Sequence, residues 1–251
     1  MELEYRLDGP DNAPVLVLSN SLGTLWNIWD GQFSEWSKYF RVLRYQTRGH
    51  GGSSAGETPL TLAQLGQDVV ALLDHLNIAR AHFCGISLGG LTGLWLNRYA
   101  SSRFDRLVVA NTAARIGQRD AWLTRAAQVR DQSLNALASS AAQRWFTDEY
   151  IQHRPGIVEK YTDQLQQLSP QGYAACCEAL AYADLRNELE QMSRPLLVIA
   201  GEQDPVTTID DAQRIVSHCA QSQLVTLPAS HLSNVECGVP FCQHVLKFLT
   251  E

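Results

Sequence analysis

The sequence has no run of lysines and arginines, and its formal net charge is −6. Nucleic acid and anionic membranes both call for a concentrated basic surface, so neither is an expected partner. No apolar stretch is long enough to cross a bilayer. The opening residues, MELEYRLDG, lack a basic segment followed by an apolar one. No signal peptide is therefore expected, and the cytoplasm is the expected compartment. Internal repeats, low-complexity tracts and linkers are also missing. So are paired metal-ligand motifs such as C-x-x-C or H-E-x-x-H. Cys219 follows His218, and Cys242 lies two residues before His244, but neither pair completes such a motif. No metal is expected.

What is present describes a globular chain. Its 251 residues suffice for one sizeable core or two small ones, and 45% of them are apolar against 18% charged. Six cysteines are present. A chain of this size needs no covalent staples, so they read as free and mostly buried thiols.

Apolar, β-rich runs alternate with longer helical patterns. VLVLSN (15–20) has the near-continuous apolar character of a strand buried on both faces. FRVLRYQT (40–47), RAHFCG (80–85), DRLVVANT (105–112), PLLVIAGE (195–202) and SQLVTLPA (222–229) read as further strands. Thr61 is placed to cap a helix carrying Leu62, Leu65, Val69, Leu72, Leu73 and Leu76 at helical spacing. LTGLWLNRYA (91–100) and GVPFCQHVLKFLT (238–250) are also helical. This alternation predicts an α/β fold with a mostly parallel central sheet flanked by helices. Residues 114–190 interrupt it with helices alone, one starting at Ser169-Pro170. The expected organisation is a core of residues 1–113 and 191–251 with a helical cap, 114–190, over the carboxyl edge of the sheet.

Gly85-Ile86-Ser87-Leu88-Gly89 fits G-x-S-x-G between a predicted strand and a predicted helix. A nucleophile elbow has that context, with Ser87 at the positive end of a helix. A serine nucleophile needs a base, and the base needs an orienting carboxylate. The chain order expected with such an elbow is Ser, then Asp or Glu, then His. His231, in the loop of LVTLPASHLSN, is the candidate base, and Asp204, in LLVIAGEQDPVT, is the candidate acid. His153 lies in the helical insertion, while His218 and His244 sit in helical patterns. Glu202 and Asp210 are less well placed than Asp204, and Asn111 is not acidic. His50, in TRGHGGSS, comes too early in the chain to be the base and reads as a turn-stabilising residue. The oxyanion needs two backbone donors. Leu88 N–H, just after the serine, is one candidate. Leu22 N–H, in SNSLGT (19–24), is the other.

With these motifs in place, the chain resembles the 3-oxoadipate enol-lactonases of bacterial aromatic catabolism, within the α/β hydrolases. The resemblance rests on SNSLGT, TRGHG (47–51), HFCGISLGG (82–90), LVVANTAARIG (107–117), RWFT (144–147), ADLR (183–186) and SHLSNVE (230–236). Many α/β hydrolases carry His-Gly where this chain has Asn20-Ser21. Many relatives carry Asp where it has Gln46, a local change expected to leave the triad alone.

The resemblance implies a small anionic lactone as substrate and a Ser-His-Asp mechanism through an acyl-enzyme, with no cofactor. The carboxylate of that lactone calls for a cation. In RDAWLTRAAQVR (119–130), Trp122 and Arg125 share a helix face. Arg125 is expected to pair with the carboxylate and Trp122 to line the pocket, with Trp145 in the core of the cap. A carboxylesterase or a C–C-bond hydrolase of the same fold shares the triad and stays open as an alternative. A non-catalytic receptor on the same scaffold is a further one.

Overall fold

A computed structural model describes residues 3–56 and 59–251. Seven strands form one sheet: β1 (Tyr5–Asp8), β2 (Val15–Ser19), β3 (Arg41–Tyr45), β4 (Ala81–Ile86), β5 (Phe104–Ala110), β6 (Leu196–Gly201) and β7 (Ser222–Leu227). Their order is β1-β3-β2-β4-β5-β6-β7. All neighbours run parallel except β1, which is antiparallel to β3. The register sets Leu18 against Cys84 and Val109 against Val198. Every residue of β2, β4 and β6 is buried, as their unbroken apolar runs require.

Around the sheet lie α1 (Asp30–Trp36), α2 (Leu62–His75) and α3 (Leu88–Tyr99). Between β5 and β6 come α4 (Arg119–Gln132), α5 (Asn135–Ser139), α6 (Ala141–Trp145), α7 (Asp148–His153), α8 (Pro155–Gln166) and α9 (Pro170–Tyr182). The chain closes with α10 (Ile209–His218), α11 (Ser233–Glu236) and α12 (Gly238–Thr250). Helix α3 packs on β4 and β5, and α10 on β6 and β7. Trp36 of α1 and Phe241 of α12 meet Trp29 in a buried aromatic cluster, ring centroids 6.1–6.4 Å apart.

Local chemistry sets the helix starts. Thr61 and Gln64 form a reciprocal capping box at α2: Gln64 N–H donates to Thr61 Oγ1, and Thr61 N–H donates to Gln64 Oε1. Ser169 caps α9, with Pro170 in its first turn. Helices α4–α9 lie between β5 and β6, within residues 114–190.

Two details, at β1 and at the start of α3, differ from the sequence-based expectation. Strand β1 carried no strand signal because it is a four-residue edge strand with two exposed positions. Strand β7 is the other edge and is only partly buried. Helix α3 starts at Leu88 rather than Leu91, because the elbow turns directly into the helix. Five of the six cysteines are buried, Cys237 is half-buried, and all are free. Among the described residues no helix is long and apolar enough to cross a membrane.

Candidate active site

Ser87 is the single residue between β4 and α3, at φ 56 and ψ −116. Side chains rarely adopt this backbone conformation, and it persists only where the surroundings impose it. Here Ser87 N–H donates to Ala110 O at 2.9 Å, and Thr112 Oγ1 donates to Ser87 O at 2.8 Å. The flanking glycines are required by close approach. A Cβ on Gly85 would lie 2.3 Å from Gly89 O, and one on Gly89 would lie 2.3 Å from Ser19 O.

The structure brings the three candidates together. His231 Nε2 lies 2.8 Å from Ser87 Oγ, and His231 Nδ1 lies 2.8 Å from Asp204 Oδ2. All three side chains are buried. This spacing fits a serine hydroxyl donating to Nε2 while Nδ1–H donates to the carboxylate. Glu202, Asp210, His153, His218 and His244 have no place in this chain of contacts. Asp210 lies in α10, His153 and His218 end α7 and α10, and His244 lies in α12. Glu202 accepts instead from Thr226 Oγ1.

Asp204 is held by a dense set of donors. Val206 N–H and Thr207 N–H donate to Oδ1 at 2.7 and 3.1 Å. Thr207 Oγ1 and Asn111 Nδ2 donate to Oδ2 at 2.8 and 3.0 Å. Burial alone would raise the carboxyl pKa. The His231 charge and the hydrogen bonds from His231, Asn111 and Val206 outweigh it and hold Asp204 below the usual carboxylate value. Asn111 was set aside in the sequence as non-acidic. It supports the acid instead, and its own Oδ1 accepts from Ser233 Oγ at 2.5 Å. Its φ of 44, at the end of β5, aims the side chain there.

Of the two candidate oxyanion donors, Leu88 follows the serine in the chain and Leu22 lines the same cavity. Leu88 opens α3, where an amide has no carbonyl a turn earlier to bond. Gly89 N–H, next along, donates to Asn20 O at 3.1 Å and ties the two loops together. Leu22 and Ser87 line one cavity of about 240 Å³.

Helices α4, α6 and α9 supply the far wall of that cavity. Trp122 and Arg125 of α4 both line it. The Arg125 guanidinium sits 4.7 Å from the Trp122 ring centroid, and Trp122 Nε1 donates to Ile116 O at 2.6 Å. Trp145 is buried in the insertion, as expected, but also faces the cavity. Arg144 and Tyr173 are among the lining residues that the sequence does not single out. Arg144 sits beside Trp145 in the quoted RWFT, yet nothing in the sequence shows that α6 turns it inward. Its guanidinium donates to Ser140 Oγ at 2.8 Å and Leu137 O at 3.2 Å, both neutral. Burial and the nearby charge of Arg125 push its pKa down from the ordinary value. Two half-buried guanidiniums thus face one cavity, and among the described residues neither has a carboxylate partner. Among those residues, no group of three or more His, Cys, Asp and Glu side chains is arranged to hold a metal ion.

The model of a family described as having the α/β-hydrolase fold matches residues 14–236. Among curated relatives, 3-oxoadipate enol-lactonase 2 of Acinetobacter baylyi is 52% identical over 234 residues, covering 93% of this chain and 88% of the relative. The same organism's 3-oxoadipate enol-lactonase 1 is 45% identical over 241 residues, covering 96% and 90%. The crystal structure of an enol-lactonase from Burkholderia xenovorans superposes with a TM-score of 0.97 at 45% identity, covering 99% of this chain and 96% of that one.

Proposed function

The chain belongs to the α/β-hydrolase family, and from that premise we propose that it hydrolyses 3-oxoadipate enol-lactone to 3-oxoadipate with Ser87, His231 and Asp204 as its catalytic triad. The observation that carries the chemistry is the unbroken contact chain from Ser87 Oγ through His231 to Asp204.

Ser87 Oγ attacks the ring carbonyl carbon as His231 Nε2 takes its proton. Asp204 holds the imidazole tautomer and stabilises the imidazolium. Leu22 N–H and Leu88 N–H donate to the oxygen of the tetrahedral intermediate. Collapse of that intermediate breaks the ring C–O bond, and His231 returns the proton to the departing enol oxygen. The enol stays attached through the opened ring, so the acyl-enzyme carries it and it tautomerises to the ketone. Water, deprotonated by His231, then releases the second carboxylate. Every step uses groups of this chain and water, so the reaction needs no cofactor.

The helical insertion, 114–190, acts as a cap over the core formed by 1–113 and 191–251. It supplies the binding wall. Arg125 and Arg144 receive the carboxylate arm of the lactone, and Trp122 packs against the ring. Two guanidiniums without an acidic partner among the described residues favour an anionic substrate over the neutral substrate of a general carboxylesterase. A charge-assisted hydrogen bond contributes about 1.5–3 kcal/mol, so kcat/KM for the enol-lactone should exceed that for its neutral methyl ester about 10- to 100-fold. Equal rates on the two would remove the carboxylate from the recognition scheme.

A further inference from the structure

His50 is buried in the TRGHG turn (47–51), and burial pushes its pKa down, which keeps the ring neutral. Gly23 N–H donates to its Nε2 at 3.0 Å. An accepting Nε2 leaves the ring proton on Nδ1, which donates to Arg48 O at 3.0 Å. The turn itself is stiff. His50 N–H donates to Thr47 O at 2.9 Å, and Ser53 N–H donates to His50 O at 3.0 Å. It also lies backbone to backbone on α9: a Cβ on Gly49 would come within 2.3 Å of Gly172 Cα. The imidazole is thus a fixed acceptor.

What it fixes is the loop carrying Leu22. The Ser21 carbonyl and the Leu22 N–H share one peptide plane and point in opposite directions. Thr24 donates to Ser21 O twice, from N at 3.1 Å and from Oγ1 at 2.9 Å, which sets that plane. The next plane carries the Leu22 carbonyl and the Gly23 N–H, and His50 sets it. Leu22 is therefore clamped on both sides, and Gly23, at φ 81, has little steric restraint of its own. Without the imidazole, Gly23 N–H loses the partner that holds its plane.

We propose that His50 is a positioning residue for the reaction: by holding the Leu22–Gly23 peptide it keeps Leu22 N–H aimed at the oxyanion. The inference rests on the reading of Ser87 as nucleophile and of Leu22 and Leu88 as oxyanion donors. His50 touches no reacting atom and moves no proton.

Deleting an oxyanion donor outright costs about 10²–10³ in kcat. Loosening one should cost about 10- to 100-fold in kcat, with KM within about twofold. His50→Leu fills the space and His50→Ala empties it; both lose the acceptor, and whichever keeps a cooperative thermal transition is used. His50→Gln sets an amide oxygen near the Nε2 position and should restore kcat to within about threefold of the parent. A second readout separates positioning from general damage. An alkylboronic acid forms a tetrahedral adduct on a nucleophilic serine, whereas 3-oxoadipate binds as a ground-state product. In His50→Leu or His50→Ala, boronate affinity should fall by the same factor as kcat, and product inhibition should not change.

Parental kcat in a folded His50→Leu or His50→Ala variant would overturn the inference. So would equal losses of boronate and product affinity, or a His50→Gln enzyme as impaired as the other variants. Ser87→Ala is run alongside. Turnover and boronate binding that survive it would overturn the nucleophile assignment and His50's role together. Loss in Ser87→Ala without loss in the His50 variants would overturn His50's role alone.

Discussion

At the residue scale, Asp204 collects more hydrogen bonds than a surface carboxylate needs: two backbone amides, a threonine hydroxyl, an asparagine amide and the His231 ring. That set fixes one oxygen on His231 and leaves little freedom to rotate. Asp204→Asn keeps the shape but favours the wrong imidazole tautomer, because an amide NH₂ facing Nδ1 donates instead of accepting. A fall in kcat of about 10⁴-fold is expected, with the thermal transition little changed. Single-turnover kinetics check it, and a loss below tenfold would contradict the assigned role. The arginines give a second prediction. Arg144→Ala should lower kcat/KM on the enol-lactone about 10- to 100-fold and leave a neutral ester within about threefold. The sequence made Ser87, His231 and Asp204 legible because chain order and strand context constrain them. Asn111 and Arg144 were not legible. Their placement comes from a positive φ after β5 and from how α6 packs, and the residue pattern alone locates neither.

At the scale of elements, the loop bearing His231 is tied to the helical insertion rather than to the core alone. Leu232 N–H donates to Trp145 O at 2.9 Å, at the end of α6. Glu236 in α11 accepts from Ser230 N–H at 2.9 Å and from both the amide and the hydroxyl of Thr147, the N-cap of α7. Glu236→Ala should remove this cross-tie. Because Glu236 is only half-buried, the expected cost is about 1–2 kcal/mol, a fall in Tm of a few degrees. The rate should fall with it, since the loop bearing His231 loses part of its support. Scanning calorimetry with kinetics on the same sample checks this, and an unchanged Tm would show that the tie contributes nothing. Most elements announced themselves by period. The buried strands read as unbroken apolar runs, and α2 showed both its spacing and its cap. The strand β1 did not, since exposed edge strands carry no apolar pattern.

At the scale of the whole molecule, the buried rings of His50 and His82 contribute to the response to acid. Burial depresses the pKa of both His50 and His82 below the free value of about 6.5. A depressed folded-state pKa means the unfolded chain binds more protons just below pH ~6.5. The stability linked to these rings is therefore complete above pH ~6.5 and is lost as pH falls below it. The Tm should drop between pH 7 and pH 5, and His50→Gln should make that drop shallower. An equal drop in parent and variant would contradict it. The fold of the whole chain was legible because strand and helix patterns alternate and one helical block interrupts them. The charge balance said less. A net charge of −6 speaks against an extended basic surface, yet two arginines line the cavity wall. Three-dimensional placement, not composition, sets the local potential there.

The most direct measurement follows the ultraviolet absorbance of the enol-lactone after adding micromolar enzyme, in parallel with the same concentration of Ser87→Ala. Rapid loss of absorbance with the parent and a rate at least about 10⁴-fold lower with Ser87→Ala are predicted. No turnover by the parent, or a Ser87→Ala rate equal to it, would contradict the account.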